Sequence, residues 1–412
     1  MGDTVLLALP GATESLVVQA AEASGGAVVV VRRCADTAEL LAAAAAGVGR
    51  VAVCSPELPD LDRDAVEALQ VAGLRVLLLA DLSRGPGRRA IGLGADRVQV
   101  APADAQAAAA VVVEITALVR EEAPATPMRG VPTVAVPSVA RGRLVAVWGP
   151  TGAPGRTTLA VNLAAELAAA HGTTVLVDAD TYGGSVAQVV GLLDEAPGLA
   201  AAARAAAQGT LDLATLARLA PVLAPDLRLL SGIARADRWS ELTGPALDVV
   251  WRLARGLAEW VVVDTGFSLE QDEVLSYDTR APRRNAATLS ALEAADLVVV
   301  VGAGDPVGMH RLVRGLSELT DAGVVGERMV VVNHVRASVA GPRPAAAVRE
   351  ALARYAGVER VHVVPEDREA FDTALREGRM LREVTPGAAG RRAVAELAVR
   401  VVAAVPIPVP GS

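Results

Sequence analysis

Short runs of Val, Leu and Ala alternate with segments of helical period along almost the whole of this chain, and that alternation restricts its fold more than any other feature. A strand that reads as continuously apolar needs cover on both faces, and strand–helix–strand units supply it, so the pattern implies mostly parallel sheets of the α/β class with helices on both faces. In residues 1–120 the runs are TVLLALP, GAVVVVRRC, RVAVCS, RVLLLA and DRVQVA. Residues 121–142 carry four prolines and no period, which predicts a semi-stiff linker. The alternation resumes over 143–405 with RLVAVWG, TTVLVDA, LRLLSG, WVVVDTG, DLVVVVGA, RMVVVNHV and RVHVVP, and 406–412 form a tail. The last helical segment has an apolar stripe through Val394, Leu397, Val401 and Val405, which predicts a packed helix. The polar stretch 268–285 breaks the rhythm and predicts an exposed loop.

Composition removes several function classes. The net charge is −8, which argues against a general nucleic-acid binder. No apolar run reaches the roughly 18 residues of a membrane span, and the N-terminus lacks a basic leader, so a cytoplasmic protein is expected. Cys34 and Cys54 lie in apolar runs and predict buried thiols. The four histidines show no metal-ligand spacing, Trp239, Trp251 and Trp260 predict core filling, and the pairs Arg283–Arg284 and Arg391–Arg392 read as solvated charge. Every basic side chain is Arg; the chain has no Lys.

One segment carries chemistry. Trp148 ends an apolar run, Leu159 begins a helical one, and GPTGAPGRTT (149–158) lies between them. A strand, a glycine-rich turn and a helix start place main-chain N–H groups around an anion, with Gly152 and Gly155 giving the turn its freedom and the Thr157 hydroxyl able to reach Mg²⁺. The general phosphate-loop pattern G-x-x-x-x-G-K-[ST] is broken twice, by Pro150 at the first Gly and by Arg156 at the Lys, so taken alone the string also suits a plain loop-to-helix turn.

The surroundings of that loop resemble the MinD/ParA family of P-loop ATPases. Aligned on Gly155, Thr151-Gly152-Ala153-Pro154-Gly155-Arg156-Thr157-Thr158 stands where that family has K-G-G-x-G-K-[ST]-T. There follow VLVDAD with Asp178 and Asp180, VVVDTG with Asp264, TLSALEAADLVVVV, MVVVNHVR with Asn333, and VHVVPEDREAFDTAL with Pro365 and Asp367. The resemblance implies ATP and Mg²⁺ as ligands. It implies that residues 152–158 cradle phosphates, that Thr157 and Asp264 serve the metal, that Asp180 positions the attacking water with Arg156 gripping phosphate, and that Asn333, Pro365 and Asp367 meet the base. Two departures weaken the implied chemistry. Thr151 replaces the lysine that reaches a partner's nucleotide across a dimer, and Arg156 offers a planar fork where the family has an ammonium.

The front block resembles a response-regulator receiver of flavodoxin-like fold stripped of its chemistry; a small flavodoxin-like domain of other origin is the alternative. Ser55 and Pro59 occupy the D-x-x-x-P positions, LPGAT (9–13) stands where the acidic pair belongs, and Ala80 and Ala101 replace the Thr/Ser and Lys. A degenerate receiver ahead of a MinD-like ATPase resembles the CpaE/TadZ family. That resemblance implies a homodimeric factor that places the secretion ATPase and other parts of a Tad/Flp-type pilus machine, polar or membrane-associated only through partners, with weak or absent hydrolysis. A septum-site or chromosome-partitioning ATPase and a nucleotide-free scaffold are the alternatives.

Overall fold

A computed structural model describes residues 2–81, 88–121, 142–152, 154–192, 197–271 and 282–405. Most of the expected linker, the middle of the 268–285 loop, Ala153 and the tail therefore lie outside the described residues. The described residues form two compact units.

In the first unit the elements run β1 (Asp3–Ala8), α1 (Gly11–Ala23), β2 (Val28–Arg33), α2 (Thr37–Ala45), β3 (Val51–Cys54), α3 (Arg63–Val71), β4 (Arg75–Ala80), α4 (Arg88–Gly92), β5 (Arg97–Val100) and α5 (Ala105–Arg120). The sheet is parallel with strand order β2-β1-β3-β4-β5, the flavodoxin-like order. Strand period two sorts the core: Val5, Leu7, Val53 and Leu79 face Val17, Val111 and Ile115 on one side, while Leu6, Ala52, Cys54 and Leu78 face Leu40, Val66 and Leu69 on the other. Asp36, Asp62 and Asp104 start α2, α3 and α5 by accepting main-chain N–H bonds of 2.8 Å from Glu39, Ala65 and Ala107, each cap contributing about 1 kcal/mol. At the end of β3 the Ser55 hydroxyl accepts from Glu57 N at 3.2 Å. Both thiols are free and buried, and burial pushes Cys54 up to about 12.

The second unit continues with β6 (Arg143–Trp148), α6 (Arg156–Ala170), β7 (Thr174–Ala179), α7 (Val186–Val189), α8 (Gly198–Ala207, in this unit as far as Arg204), α9 (Leu213–Leu219), β8 (Val222–Ala224) and β9 (Leu227–Leu230). After a 3₁₀ turn come α10 (Gly244–Leu257), β10 (Trp260–Thr265), α11 (Ala286–Ala294), β11 (Leu297–Ala303), α12 (Pro306–Asp321) and β12 (Glu327–Val335). The unit closes with α13 (Ala337–Ala340), α14 (Pro344–Ala356), β13 (Val361–Pro365), α15 (Arg368–Glu377), α16 (Leu381–Val384) and α17 (Ala389–Ala404). Its strand order is β13-β12-β11-β6-β10-β7-β9-β8, parallel throughout except for the short antiparallel edge strand β8. Because the strands are parallel, the carboxyl ends of β6, β7, β10, β11, β12 and β13 share one edge of the sheet, where α/β folds leave a crevice. Register aligns Asp264 with both Val147 and Asp178, and Ala303 with Asn333.

Helix α17 buries Val394, Leu397 and Val401 against the face that carries α6, as its stripe predicts. The reading of Arg391 as solvated charge is corrected: its guanidinium donates at 2.9 and 2.7 Å to both oxygens of buried Glu166 in α6. Arg283 and Arg284 are exposed, as read, with the Arg284 guanidinium 4.3 Å from the centre of the Tyr182 ring. Trp251 and Trp260 fill the core as expected, together with Trp148, whereas Trp239 is only half-buried. Among the described residues no helix is long and apolar enough to cross a membrane.

Candidate functional site

The turn after β6 leaves the sheet edge with Gly149 and Pro150 buried and Thr151 and Gly152 exposed, then re-enters at Pro154 and starts α6. Gly152 and Gly155 take φ of +107° and +90°, backbone that glycine alone adopts without strain. Gly155 is the N-cap of α6 and offers no side-chain acceptor, and the first bond into the helix is Leu159 N to Gly155 O. The N–H groups of Arg156, Thr157 and Thr158 therefore meet no carbonyl of their own helix, the arrangement that receives an anion.

A strut fixes the turn. A register shift between Val332 and Val335 turns the end of β12. It leaves His334 at φ +56° and aims the Asn333 amide inward, where Nδ2 donates to Pro154 O at 3.0 Å. Asn333 Oδ1 is buried and has no partner among the described residues. A Cβ on Gly155 would lie 2.4 Å from Asn333 Nδ2, so the residue expected to meet adenine also clamps the loop.

Beneath the helix start lie three carboxylates. Thr157 Oγ1 donates to Asp264 Oδ2 at 2.6 Å, and Asp264 Oδ1, wholly buried, has no partner among the described residues. Asp178 accepts from the N–H groups of Asp180 and Val186, and Asp180 Oδ1 accepts from those of Tyr182 and Gly183. Burial, with a smaller repulsion from Asp180, pushes the Asp178 carboxyl up to about 7. Burial first, then the neighbouring Asp178, drives Asp264 well above the usual carboxylate range, against the Thr157 bond and the charge of Arg156. Proton-holding carboxyls around an unsatisfied oxygen fit a divalent cation, whose charge reverses both shifts. Among the described residues no cluster of three or more His, Cys, Asp or Glu could hold a metal, so a cation at Asp264 would take most of its ligands from outside the chain.

Arg156 is the nearest cation. Its Nη1 donates to Gly149 O at 3.1 Å and Pro150 O at 3.2 Å, and its Nη2 stands 3.7 Å from Asp180 Oδ2. Its Nε–H is buried and has no acceptor among the described residues. The guanidinium thus braces the turn and keeps a donor free.

Other expected site residues divide. Thr158 lies in the first turn of α6, where its carbonyl accepts from Asn162. Pro365 ends β13 at the same sheet edge, but the Asp367 carboxylate accepts from Gly390 N at 2.8 Å and so holds the start of α17. Of the described ends of the 268–285 segment, Glu270, Gln271 and 282–284 are exposed, as expected of a loop, and the two outermost residues are not. Ser268 and Asn285 are buried, Asn285 Nδ2 donates to Ser268 Oγ and Glu270 O, and Tyr182 Oη donates to Asn285 Oδ1 at 2.9 Å. Tyr182 packs on Phe267, which links the segment after β7 to the one after β10. These residues and Arg311, whose guanidinium lies against Gly152, are site neighbours that the sequence pattern does not single out.

No known protein family and no curated protein matches the chain in sequence. In fold it is similar to a ParA family ATPase from Chlorobium tepidum TLS, with 16% identity over 64% of this chain and 100% of that one and a TM-score of 0.54. It is also similar to the cell division ATPase MinD of Pyrococcus furiosus, with 18% identity over 63% of this chain and 98% of that one and a TM-score of 0.50. A match of that length exceeds the whole first unit, so the likeness includes the second, eight-stranded unit, whose α/β fold is similar to that of these two ATPases.

Proposed function

We propose that the second unit binds an adenine nucleotide with Mg²⁺ in the turn 149–158, and that binding switches the chain between states that assemble differently. The observation that carries this reading is Asp264: a wholly buried carboxylate, bonded to Thr157 at 2.6 Å, with its second oxygen unsatisfied below an uncapped helix start. Thr157 and Asp264 would hold Mg²⁺, which offsets phosphate charge when bound. The N–H groups of Arg156, Thr157 and Thr158 receive phosphate, Arg156 adds its free Nε–H, and Asn333 and Pro365 flank the base. Asp180 is the candidate for orienting water. Its carboxylate is already engaged by two N–H groups and by Arg156, which supports slow or absent turnover.

The wider role that this arrangement suits is that of a CpaE/TadZ-like factor, a homodimer that positions a Tad/Flp-type pilus or secretion machine. The first unit, with Ser55 where a receiver has its phospho-acceptor, is then a docking or dimerisation module. Septum placement or partitioning is the neighbouring role on the same fold. A second reading, a nucleotide-free scaffold, draws on the bonds of Arg156 to Gly149 and Pro150, which close the turn on itself.

Thermal melting of the full chain separates these readings. Mg-ATP or Mg-ADP at about 100 times its dissociation constant should stabilise the protein by about 2.7 kcal/mol. Asp264→Asn should erase the Mg²⁺-dependent part of that shift while leaving the apo protein folded. No shift of the wild type with either nucleotide leaves the scaffold.

A further inference from the structure

Resting on the nucleotide reading above, we propose that Arg311 reads the terminal phosphate of a nucleoside triphosphate at the outer lip of the turn, supplying in the same chain the positive charge that Thr151 lacks. The lip is where the turn is exposed, at Thr151 and Gly152. Arg311 belongs to α12, and its Nη1 lies so near that a Cβ on Gly152 would come within 1.9 Å of it. Gly152 therefore serves twice, by its φ of +107° and by letting a guanidinium rest on the main chain.

The approach is built into the helix. Asp305 caps α12 by accepting from Val307 N at 3.0 Å and Gly308 N at 2.9 Å. Gly308 packs on Ala303, where a Cβ would come within 2.6 Å. Gly315 packs on Trp148 and Pro150, where a Cβ would meet them at 3.1 and 3.4 Å. Two glycines a heptad apart, with buried Leu312 between them, press α12 onto the end of β6 and set Arg311 beside the turn.

The guanidinium is also uncommitted. Arg311 makes no hydrogen bond or ion pair with any described residue, whereas Arg314, one turn on, pairs with Glu318 at 2.9 Å. A cleft of about 720 Å³ opens beside it, lined by Pro150, Thr151, Phe267, His310, Arg311 and Arg314 among others. A triphosphate differs from a diphosphate by one more anionic group, and that group stands furthest from the base. A free planar fork at the lip discriminates for it, because guanidinium–phosphate bonds are charge-assisted and can be bidentate.

Titration calorimetry on the full chain, with Mg²⁺ and either a nonhydrolysable ATP analogue or ADP, tests the assignment. Arg311→Ala should weaken the triphosphate by about tenfold or more and leave ADP within about twofold, Arg311→Lys should recover part of the loss, and Arg314→Ala should leave both within about twofold. Equal losses for the two nucleotides, no loss for either, or an Arg314→Ala effect as large as that of Arg311→Ala overturns the proposal while the nucleotide site stands. If the wild type binds neither ligand, the underlying reading falls and this one with it.

Discussion

Gly155→Ala is the substitution with the most definite consequence. The residue sits at φ +90° and ψ 29°, so any side chain incurs left-handed strain of about 1–2 kcal/mol. Its Cβ would also lie 2.4 Å from Asn333 Nδ2, in the path of the bond from that amide to Pro154 O. Displacing the amide forfeits a further ~1 kcal/mol, for a total of about 2–3 kcal/mol. In a unit of this size that lowers the melting temperature by about 4–10 °C. All four tryptophans lie in the second unit, so their fluorescence follows its unfolding alone. Asn333→Ala removes the strut but also the obstacle. The double variant should therefore cost about 1 kcal/mol less than the sum of the singles, and both Gly155→Ala proteins should lose most of their nucleotide-induced shift. Costs that add to within ~0.5 kcal/mol would refute the steric coupling of loop and strut.

On the proposed reading, the carboxyl cluster makes nucleotide binding depend on pH. The folded-state values of Asp178 and Asp264 are raised, so the stability these groups give the apo protein is present below the usual carboxylate range and fades as pH rises, for Asp178 toward about 7. Mg²⁺ requires the ionised form. Mg-nucleotide affinity by calorimetry should therefore rise with pH above the usual carboxylate range, as the raised Asp264 carboxyl gives up its proton; a flat profile contradicts the cluster's role. Glu166→Ala strands Arg391 beside α6 and should destabilise by about 3 kcal/mol in urea unfolding followed by tryptophan fluorescence, with Glu166→Gln costing less. A cost below ~1 kcal/mol would show that the pair holds α17 no better than an exposed one.

What the sequence discloses here follows from how local each signal is. Strands β6, β7 and β10 are buried at every position, so they read as unbroken apolar runs and mark where Asp178, Asp264 and the glycine turn must stand. Parallel strands then bring those ends to one edge without further information. Strand β8 escapes notice because it is three residues after a proline at the sheet margin. Arg391 is misread because a pair of adjacent arginines looks like surface, and nothing local reports a buried glutamate 225 residues earlier. Tyr182 and Asn285, 103 residues apart, meet only through the order of the strands. Arg311 is hidden for the same reason: the helix pattern tells which face of α12 is buried, through Leu312 and Leu319, but not which turn that helix passes over.

The absence of lysine has a structural consequence at this site. An ammonium at position 156 would present a point charge with rotatable donors, whereas a guanidinium is a rigid fork that must be anchored to be aimed. The protein anchors it with two strand-end carbonyls and Asp180, and this commits part of its charge before any phosphate arrives. A phosphate entering the turn has to share Arg156 with Asp180, the same acid that would orient water. On the proposed reading, gripping phosphate and activating water thus compete for one side chain, and a second, uncommitted cation at the lip is what such a loop needs in order to hold a triphosphate without turning it over quickly.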